Sequence, residues 1–562
     1  SATFGRTIWT VYAQDEWQAS DQLSLTAGVR VQFYEGDAPR ENPNFINRFG
    51  FSNAVAFSDI DPVILPRFGF TYDLFDQGFF NDSVIKGGVG VFSGGDPIVY
   101  FSNAFSNNGF SFADGDTFDS ECAGLLDMNG QFDVVVDGVF TGMPQCAIDA
   151  ASNVASQGGN AVQSTDPNFD NPTVLRANLG FTTYLGGGNG FFDNWRLDLD
   201  YIYSHFIDPI NWVDLAYTVN PALGLNGYTV DGRPIYRSID ASRAGCDATL
   251  AGTGGTPPVW SNVTPACFTS SGARDDELQL TNGPSYDSHV ASIILAKHFD
   301  GGLFTSGGGT DVGFGYAWMD SDNFRNANSS TATSSYDEAA IFDRQNPSVG
   351  TSNYETKHRF TFTVNLREEF WDGYDTRVGL FFTARSGRPY TLTFDGSGAF
   401  IDSAAGSDNN PLYIPSGLND PNVSPMSDPD AVADLLDYVA GLECAEGYSG
   451  RTIDSNTCTE DWVYDLDLRI SQEIPGFMQF FGGNDRFELF ADIDNVLNLL
   501  DSSWNTFRTI GQFGDGQLVD LVDGSFDSQG RYIITGFNPD DSPSVSVSSS
   551  VWKIQLGARY KF

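Results

Sequence analysis

The feature that most constrains this chain is a period of two that recurs in blocks and runs to the final residue. In the last block, Trp552, Ile554, Leu556, Ala558, Tyr560 and Phe562 share one parity, while Lys553, Gln555, Gly557, Arg559 and Lys561 take the other. Successive strand side chains point to opposite faces of a sheet, so this pattern predicts a strand with one apolar and one polar face. A second block sets Leu23, Leu25, Ala27, Val29, Val31 and Phe33 against Ser24, Thr26, Gly28, Arg30 and Gln32. In a third, Trp195, Leu197, Leu199, Tyr201 and Tyr203 oppose Arg196, Asp198 and Asp200. In a fourth, Phe360, Phe362, Val364 and Leu366 oppose Arg359, Thr361, Thr363, Asn365 and Arg367.

Marking every such block predicts about thirteen strands. They fall near 7–17, 23–33, 64–75, 84–93, 173–185, 195–205, 286–299, 310–320, 358–370, 376–386, 462–472 and 486–496, with a closing strand from about 548. The connections alternate in length. Short turns lie at Ala19–Gln22, 76–83, Gly186–Gly190, Asp300–Gly302, Asp372–Gly373 and Pro475–Gly476. Long polar segments separate the pairs. A sandwich or propeller would have more even connections. Strict alternation is the asymmetry of an outer-membrane β-barrel, whose periplasmic turns are short and extracellular loops long. The expectation is an all-β, antiparallel transmembrane barrel with its apolar face on lipid and its polar face on the lumen.

Composition agrees with that reading and excludes others. The chain has 562 residues, 61 glycines, 14% aromatics and only 5 methionines, which suits a girdled sheet better than a helical enzyme. A net charge of −44 excludes nucleic acid as a partner, because its phosphates would be repelled. No apolar run reaches the length of a transmembrane helix, and Ser1–Phe4 lacks the basic and apolar segments of a signal peptide. The six cysteines form three separated couples: Cys122 with Cys146, Cys246 with Cys267, and Cys444 with Cys458. Each couple lies within one long loop and none on a strand. Nearest-neighbour pairing leaves no thiol over, and no C-x-x-C spacing supports metal, so local disulfides in an oxidising compartment are expected.

Several stretches then carry a family resemblance. They are Tyr12–Trp17 (YAQDEW), Leu23–Arg30 (LSLTAGVR), Pro66–Tyr72 (PRFGFTY), Lys357–Phe360, Ala384–Tyr390 (ARSGRPY), Asp465–Arg469 (DLDLR) and Phe487–Asn498 (FELFADIDNVLN). In this order over nearly the whole chain they resemble TonB-dependent receptors of the bacterial outer membrane, in particular the Oar-like group with a carboxypeptidase-regulatory-like N-terminal module. Neither a TonB box nor a plug domain is found. Because such transporters resemble plugged barrels of about 22 strands, residues 1–562 look like the C-terminal part of one. The resemblance implies active uptake of a bulky extracellular substrate, with TonB, ExbB and ExbD as energising partners. The alternative is a surface receptor or scaffold whose loops bind or export another protein. About thirteen strands is an odd count, whereas bacterial single-chain barrels have even ones. The expected further partners are therefore outer-membrane lipid and a plug-bearing N-terminal fragment of the same precursor, which completes the barrel.

Candidate site residues follow from the polar parity. Asp198, Asp200, Arg359, Arg367, Arg385, Asp465, Asp467, Arg469, Glu488, Asp492 and Asp494 should face the lumen or plug, either along a substrate path or satisfying one another. Trp552, Tyr560 and Phe562 belong to the barrel-closing strand. Trp9, Trp17, Tyr72, Trp195, Trp318 and Trp462 recur near strand ends, as interfacial anchors do. No enzyme is expected: Asp465 and Asp467 alternate on a strand with no activating base, and G-x-S-x-G is absent. No cofactor is expected either. The acidic run Asp114–Glu121 suggests calcium, but Phe118 occupies a position where an EF-hand needs an oxygen ligand.

Overall fold

A computed structural model describes residues 3–74, 78–94, 97–111, 122, 125, 134–136, 138–140, 142–186, 190–255, 257–269, 277–325, 329–337, 340–395, 409–509, 518–538 and 544–562. The acidic run at 114–121 and the centre of the turn at 187–189 lie outside the described residues.

Thirteen long strands follow one another in chain order through a single sheet: β1 Arg6–Gln18, β2 Leu23–Gly36, β3 Val63–Asp73, β4 Phe80–Ser93, β5 Thr173–Leu185, β6 Trp195–Ile207, β7 Tyr286–Asp300, β8 Gly309–Asn323, β9 His358–Trp371, β10 Tyr374–Arg385, β11 Val463–Pro475, β12 Arg486–Asp494 and β13 Lys553–Lys561. Every neighbouring pair is antiparallel. The short strand Gly350–Thr351 adds to β8 and brings the sheet to 14 strands. Among the described residues no ladder joins β1 to β13, so the barrel is not closed and both outer strands keep a free edge.

Register carries each face across the sheet. Leu197, Leu295, Phe314, Phe362, Phe382 and Leu466 stand side by side on β6 to β11. On the other face Gln14, Gly28, Arg67, Gly90, Arg176, Ser204, Ser288 and Ser321 form one row from β1 to β8. The apolar rows are left uncovered, with Leu556 at 76% exposure and Trp9 at 61%. In water such a surface would be an aggregation site; against hydrocarbon it is the seating surface of the sheet. The predicted aromatic anchors Trp9, Trp17, Trp462 and Trp552 are among these exposed side chains. Short connections join the strand pairs at one end, the tightest being 19–22 between β1 and β2 and Asp372–Gly373 between β9 and β10, whereas 476–485 between β11 and β12 carries the helical turn Phe477–Phe481. Between β9 and β10, Gly373 takes φ 77°, a left-handed conformation that other side chains rarely adopt.

The buried apolar core sits elsewhere, in the long loops. These fold into a cap rather than remaining open polar segments. Its largest cluster gathers Leu392, Phe394, Tyr413, Leu435, Val519, Tyr532 and Ile534. Strand Pro389–Asp395 runs parallel to Leu518–Phe526, which pairs with Tyr532–Phe537. Helix Pro429–Val439 lies on them: its N-cap Asp428 accepts a hydrogen bond from the Asp430 backbone N–H, and Ala431, Val432, Leu435 and Val439 form its buried face. A second cluster joins Phe57, Phe101, Phe169, Trp212, Leu280 and Tyr336. The strand Ile210–Asp214 pairs there with Leu278–Asn282.

Three cap disulfides join Cys122 to Cys146, Cys246 to Cys267 and Cys444 to Cys458. All six cysteines lie within the long loops, and the one departure from the sequence reading of them is that Cys458 is on a strand, which it begins and which has two residues. Cys146 lies in helix Gln145–Gln157. The closing strand begins at Lys553, not near 548. Val547–Ser550 forms a helical turn because its serines satisfy nearby backbone groups: Ser550 Oγ donates to the Ser546 carbonyl at 2.7 Å and accepts from the Phe507 N–H at 2.8 Å.

Candidate functional site

The polar face of the sheet concentrates the charged side chains. Register places Asp198, Asp200, Arg359, Arg367, Arg385, Asp465, Asp467, Arg469, Glu488 and Asp492 on this one face. Asp494, opposite Lys553, continues the parity of Asp492. The structure brings only some of them together. Asp467, Arg469, Asp492 and Asp494 line a hollow of about 340 Å³. Within it, Arg469 Nη1 donates to both Asp492 oxygens, at 2.9 and 3.0 Å. Asp467 accepts from the Asn495 backbone N–H at 3.0 Å. Asp198 is tied to Arg196 at 3.0 Å and to the Thr182 hydroxyl at 2.8 Å. Arg359 and Arg385 stand directly opposite one another, two like charges in register, and Arg385 lies over the Phe507 ring.

Toward the turn end Glu473 is a hub. Its carboxylate meets Arg377 at 3.3 Å, Arg486 at 2.9 Å and Lys561 at 3.0 Å. Glu488, opposite it in register, takes Lys561 at 3.1 Å and Arg559 at 3.6 Å. Two carboxylates thus hold four cations and lace β10 to β13 together. The sequence reading included Glu488 but missed Glu473, because the predicted strand stopped at 472. Extending the alternation Asp465, Asp467, Arg469, Ser471 by one step finds it.

A different charge pattern occupies β2 to β5. Arg30, Arg67 and Arg176 rim a hollow of about 490 Å³ whose lining contains no Asp or Glu among the described residues. The alternation marked Arg30 as polar-facing, but nothing in the linear pattern showed that the three guanidiniums converge; only the register does.

Polar chemistry in the cap is enclosed. Asp231 accepts from the hydroxyls of Thr229 at 2.6 Å, Thr452 at 2.6 Å and Tyr532 at 2.7 Å. Burial alone would raise its pKa, but the Arg233 charge and these three hydroxyls outweigh burial and hold the carboxyl below its ordinary value. Burial pushes Tyr532 up to about 12. Arg48 and Glu277 make a fully buried ion pair at 2.6 Å. Arg325, fully enclosed, donates to the carbonyls of Tyr336 at 2.6 Å and Arg344 at 2.9 Å, and burial lowers its pKa to about 9. A polar hollow of about 460 Å³ opens beside it, lined by Tyr448, Asp454 and Asn456 among others.

Comparison with known proteins decides what kind of sheet this is. The family described as "Outer membrane beta barrel domain" matches residues 1–515. The chain belongs to that family. The sheet is therefore an outer-membrane structure, with its apolar rows on lipid and its polar face toward a lumen. Solved structures it is similar to include the outer membrane transporter YddB from Escherichia coli, at 12% identity and TM-score 0.40, covering 88% of this chain and 41% of that one. The copper transporter OprC is similar at 10% identity and TM-score 0.36, over 99% and 48% of the two chains. The RagAB peptide transporter follows at 9% identity and TM-score 0.38, over 87% and 43%. The chain thus spans less than half the length of these structures. No curated protein matches.

Proposed function

We propose that this barrel portion serves energised uptake of a bulky extracellular substrate across the outer membrane, as one part of a TonB-dependent receptor of the Oar-like kind. The observation that carries this reading is the joint architecture of the family member: a wide sheet with two free edges under a cap that has its own buried cores. A free strand edge in lipid leaves backbone groups unpaired, at several kcal/mol each. The sheet therefore needs further strands, and roughly nine more give the 22-stranded type that holds a plug. A plug-bearing N-terminal portion of the same precursor would supply them, and TonB with ExbB and ExbD would move the plug. The cap would capture substrate before it reaches the lumen. No catalytic step and no cofactor are assigned.

The test compares spent medium from wild-type cells, cells lacking this gene and cells lacking tonB, using mass spectrometry. We expect one class of solute to be depleted by wild type alone, while the tonB strain still binds it at the surface. Equal depletion in all three strains would reject uptake and favour a surface receptor or scaffold that engages another protein.

A further inference from the structure

The geometry points to an anion-binding site on the polar face of β2 to β5, formed by Arg30, Arg67 and Arg176 and suited to a ligand that carries two or more carboxylate or phosphate groups. The site rests on the uptake reading only for its use in transport; binding itself does not depend on it. Arg67 and Arg176 share one row of the sheet, separated by Gly90. Two strand spacings put their backbones about 10 Å apart. Arg30 is the diagonal neighbour of Arg67, at about 7–8 Å. The floor between them lacks side chains: Gly69 pairs with Gly88, Gly28 with Arg67, and Gly90 completes the patch. The glycines leave the volume free, and Gly88 and Gly90 cannot be replaced without crowding. A Cβ on Gly90 would lie 3.0 Å from Arg67 Cγ, and one on Gly88 2.9 Å from the Phe68 carbonyl oxygen.

Among the described residues no ion pair compensates the three arginines. Arg176 donates to Ser204 Oγ at 3.1 Å, Arg67 lies 4.5 Å over the Phe92 ring, and the Arg30 guanidinium lies 3.0 and 3.2 Å from the Gln32 side-chain amide, whose oxygen accepts from it once the amide is turned over. Among the described residues no carboxylate lines the hollow. Elsewhere on the same face Arg377, Arg469, Arg486, Arg559 and Lys561 meet carboxylates, while Arg359, Arg367 and Arg385 make no ion pair among the described residues, but no hollow gathers those three. In a chain with 73 acidic and 29 basic residues, three adjacent arginines without a carboxylate are an arrangement against the average. Guanidinium forks match carboxylate and phosphate oxygens, and a walled lumen focuses their field on an incoming anion.

The probes are citrate and pyrophosphate, titrated calorimetrically into the complete purified receptor at low salt. Saturable binding that weakens as salt rises is expected, with roughly tenfold loss for R67Q or R176Q, the effect of one charge-assisted hydrogen bond. On the unmutated protein, pyrophosphate should shield Arg30, Arg67 and Arg176 from phenylglyoxal while leaving Arg243 reactive. That footprint does not depend on any variant folding. Neither anion binding, or binding unchanged in a triple Gln variant, overturns the site. The site is equally overturned if the three arginines are already shielded without added anion, since protein carboxylates then occupy them. Binding that persists when tonB is deleted leaves the site standing even if the uptake reading fails.

Discussion

At the residue scale two carboxylates make opposite use of their surroundings. Asp231 holds its charge in the cap because three hydroxyls and Arg233 stabilise it. Its folded pKa lies below the ordinary value, so just below about pH 4 the unfolded chain binds a proton that the fold does not. Its contribution to stability is therefore complete above the ordinary carboxylate value and is lost as pH falls through the folded one. Cap proteolysis followed against pH should accelerate below about pH 4 in wild type. Asp231→Asn should be faster at neutral pH, with about 1.5–3 kcal/mol lost, and its pH dependence there should be flatter. An identical profile for the two proteins would show that Asp231 does not control the cap. Glu473 instead gathers Arg377, Arg486 and Lys561. Glu473→Gln leaves three half-exposed cations facing one another, a loss of about 1–2 kcal/mol once water screening is allowed for. It should appear as a lower heat-modification temperature of the barrel on gels, with Thr361→Ser as an unaffected control.

At the scale of elements, the two faces of one strand should respond oppositely to charge. Phe362, in the apolar row of β9, should lose about 2–4 kcal/mol on substitution by Arg, the cost of placing a charge at mid-bilayer. Thr361→Arg, one residue earlier on the polar face, should assemble with little loss. Assembly yield in membranes measures both, and equal defects would contradict the face assignment. This parity was legible in the sequence because barrel strands repeat it over 9 to 15 residues. The pattern near 286–299 predicted Tyr286–Asp300 almost to the residue. The cap was not legible. Its strands are as short as Cys458–Thr459, too brief for a period to emerge, and Pro389–Asp395 finds its partner Leu518–Phe526 far along the chain. The couple Cys444–Cys458 was legible because a disulfide needs only proximity in sequence to be suggested. Replacing both by Ser should cost that cap lobe about 3 kcal/mol through the freedom regained by the unfolded loop. Limited proteolysis within 409–460 should report the loss; unchanged cleavage would mean that the lobe's apolar core alone holds it.

At the scale of the whole molecule, the deciding feature is that the sheet starts at β1, ends at β13 and joins neither to the other. Antiparallel order through thirteen strands leaves β1 and β13 pointing the same way. Joining them would require one parallel ladder in an otherwise antiparallel barrel. Leaving them open in lipid would strand the outer hydrogen-bonding groups of Arg6–Gln18 on one edge and of Lys553–Lys561 on the other. The remaining solution is that strands from outside residues 1–562 pair with both edges; under the proposed function these would belong to a plug-bearing N-terminal portion. Thr10→Cys in β1 and Gln555→Cys in β13, both on the polar face, separate the two cases in native membranes under mild oxidation. With neighbours intervening at about 4.8 Å per strand, the two introduced thiols are too far apart to join. Each should instead cross-link to a cysteine placed in the added strands, giving a product that separates only after denaturation and reduction. A direct bond between positions 10 and 555 would show that this chain closes on itself, and the requirement for further strands would fall.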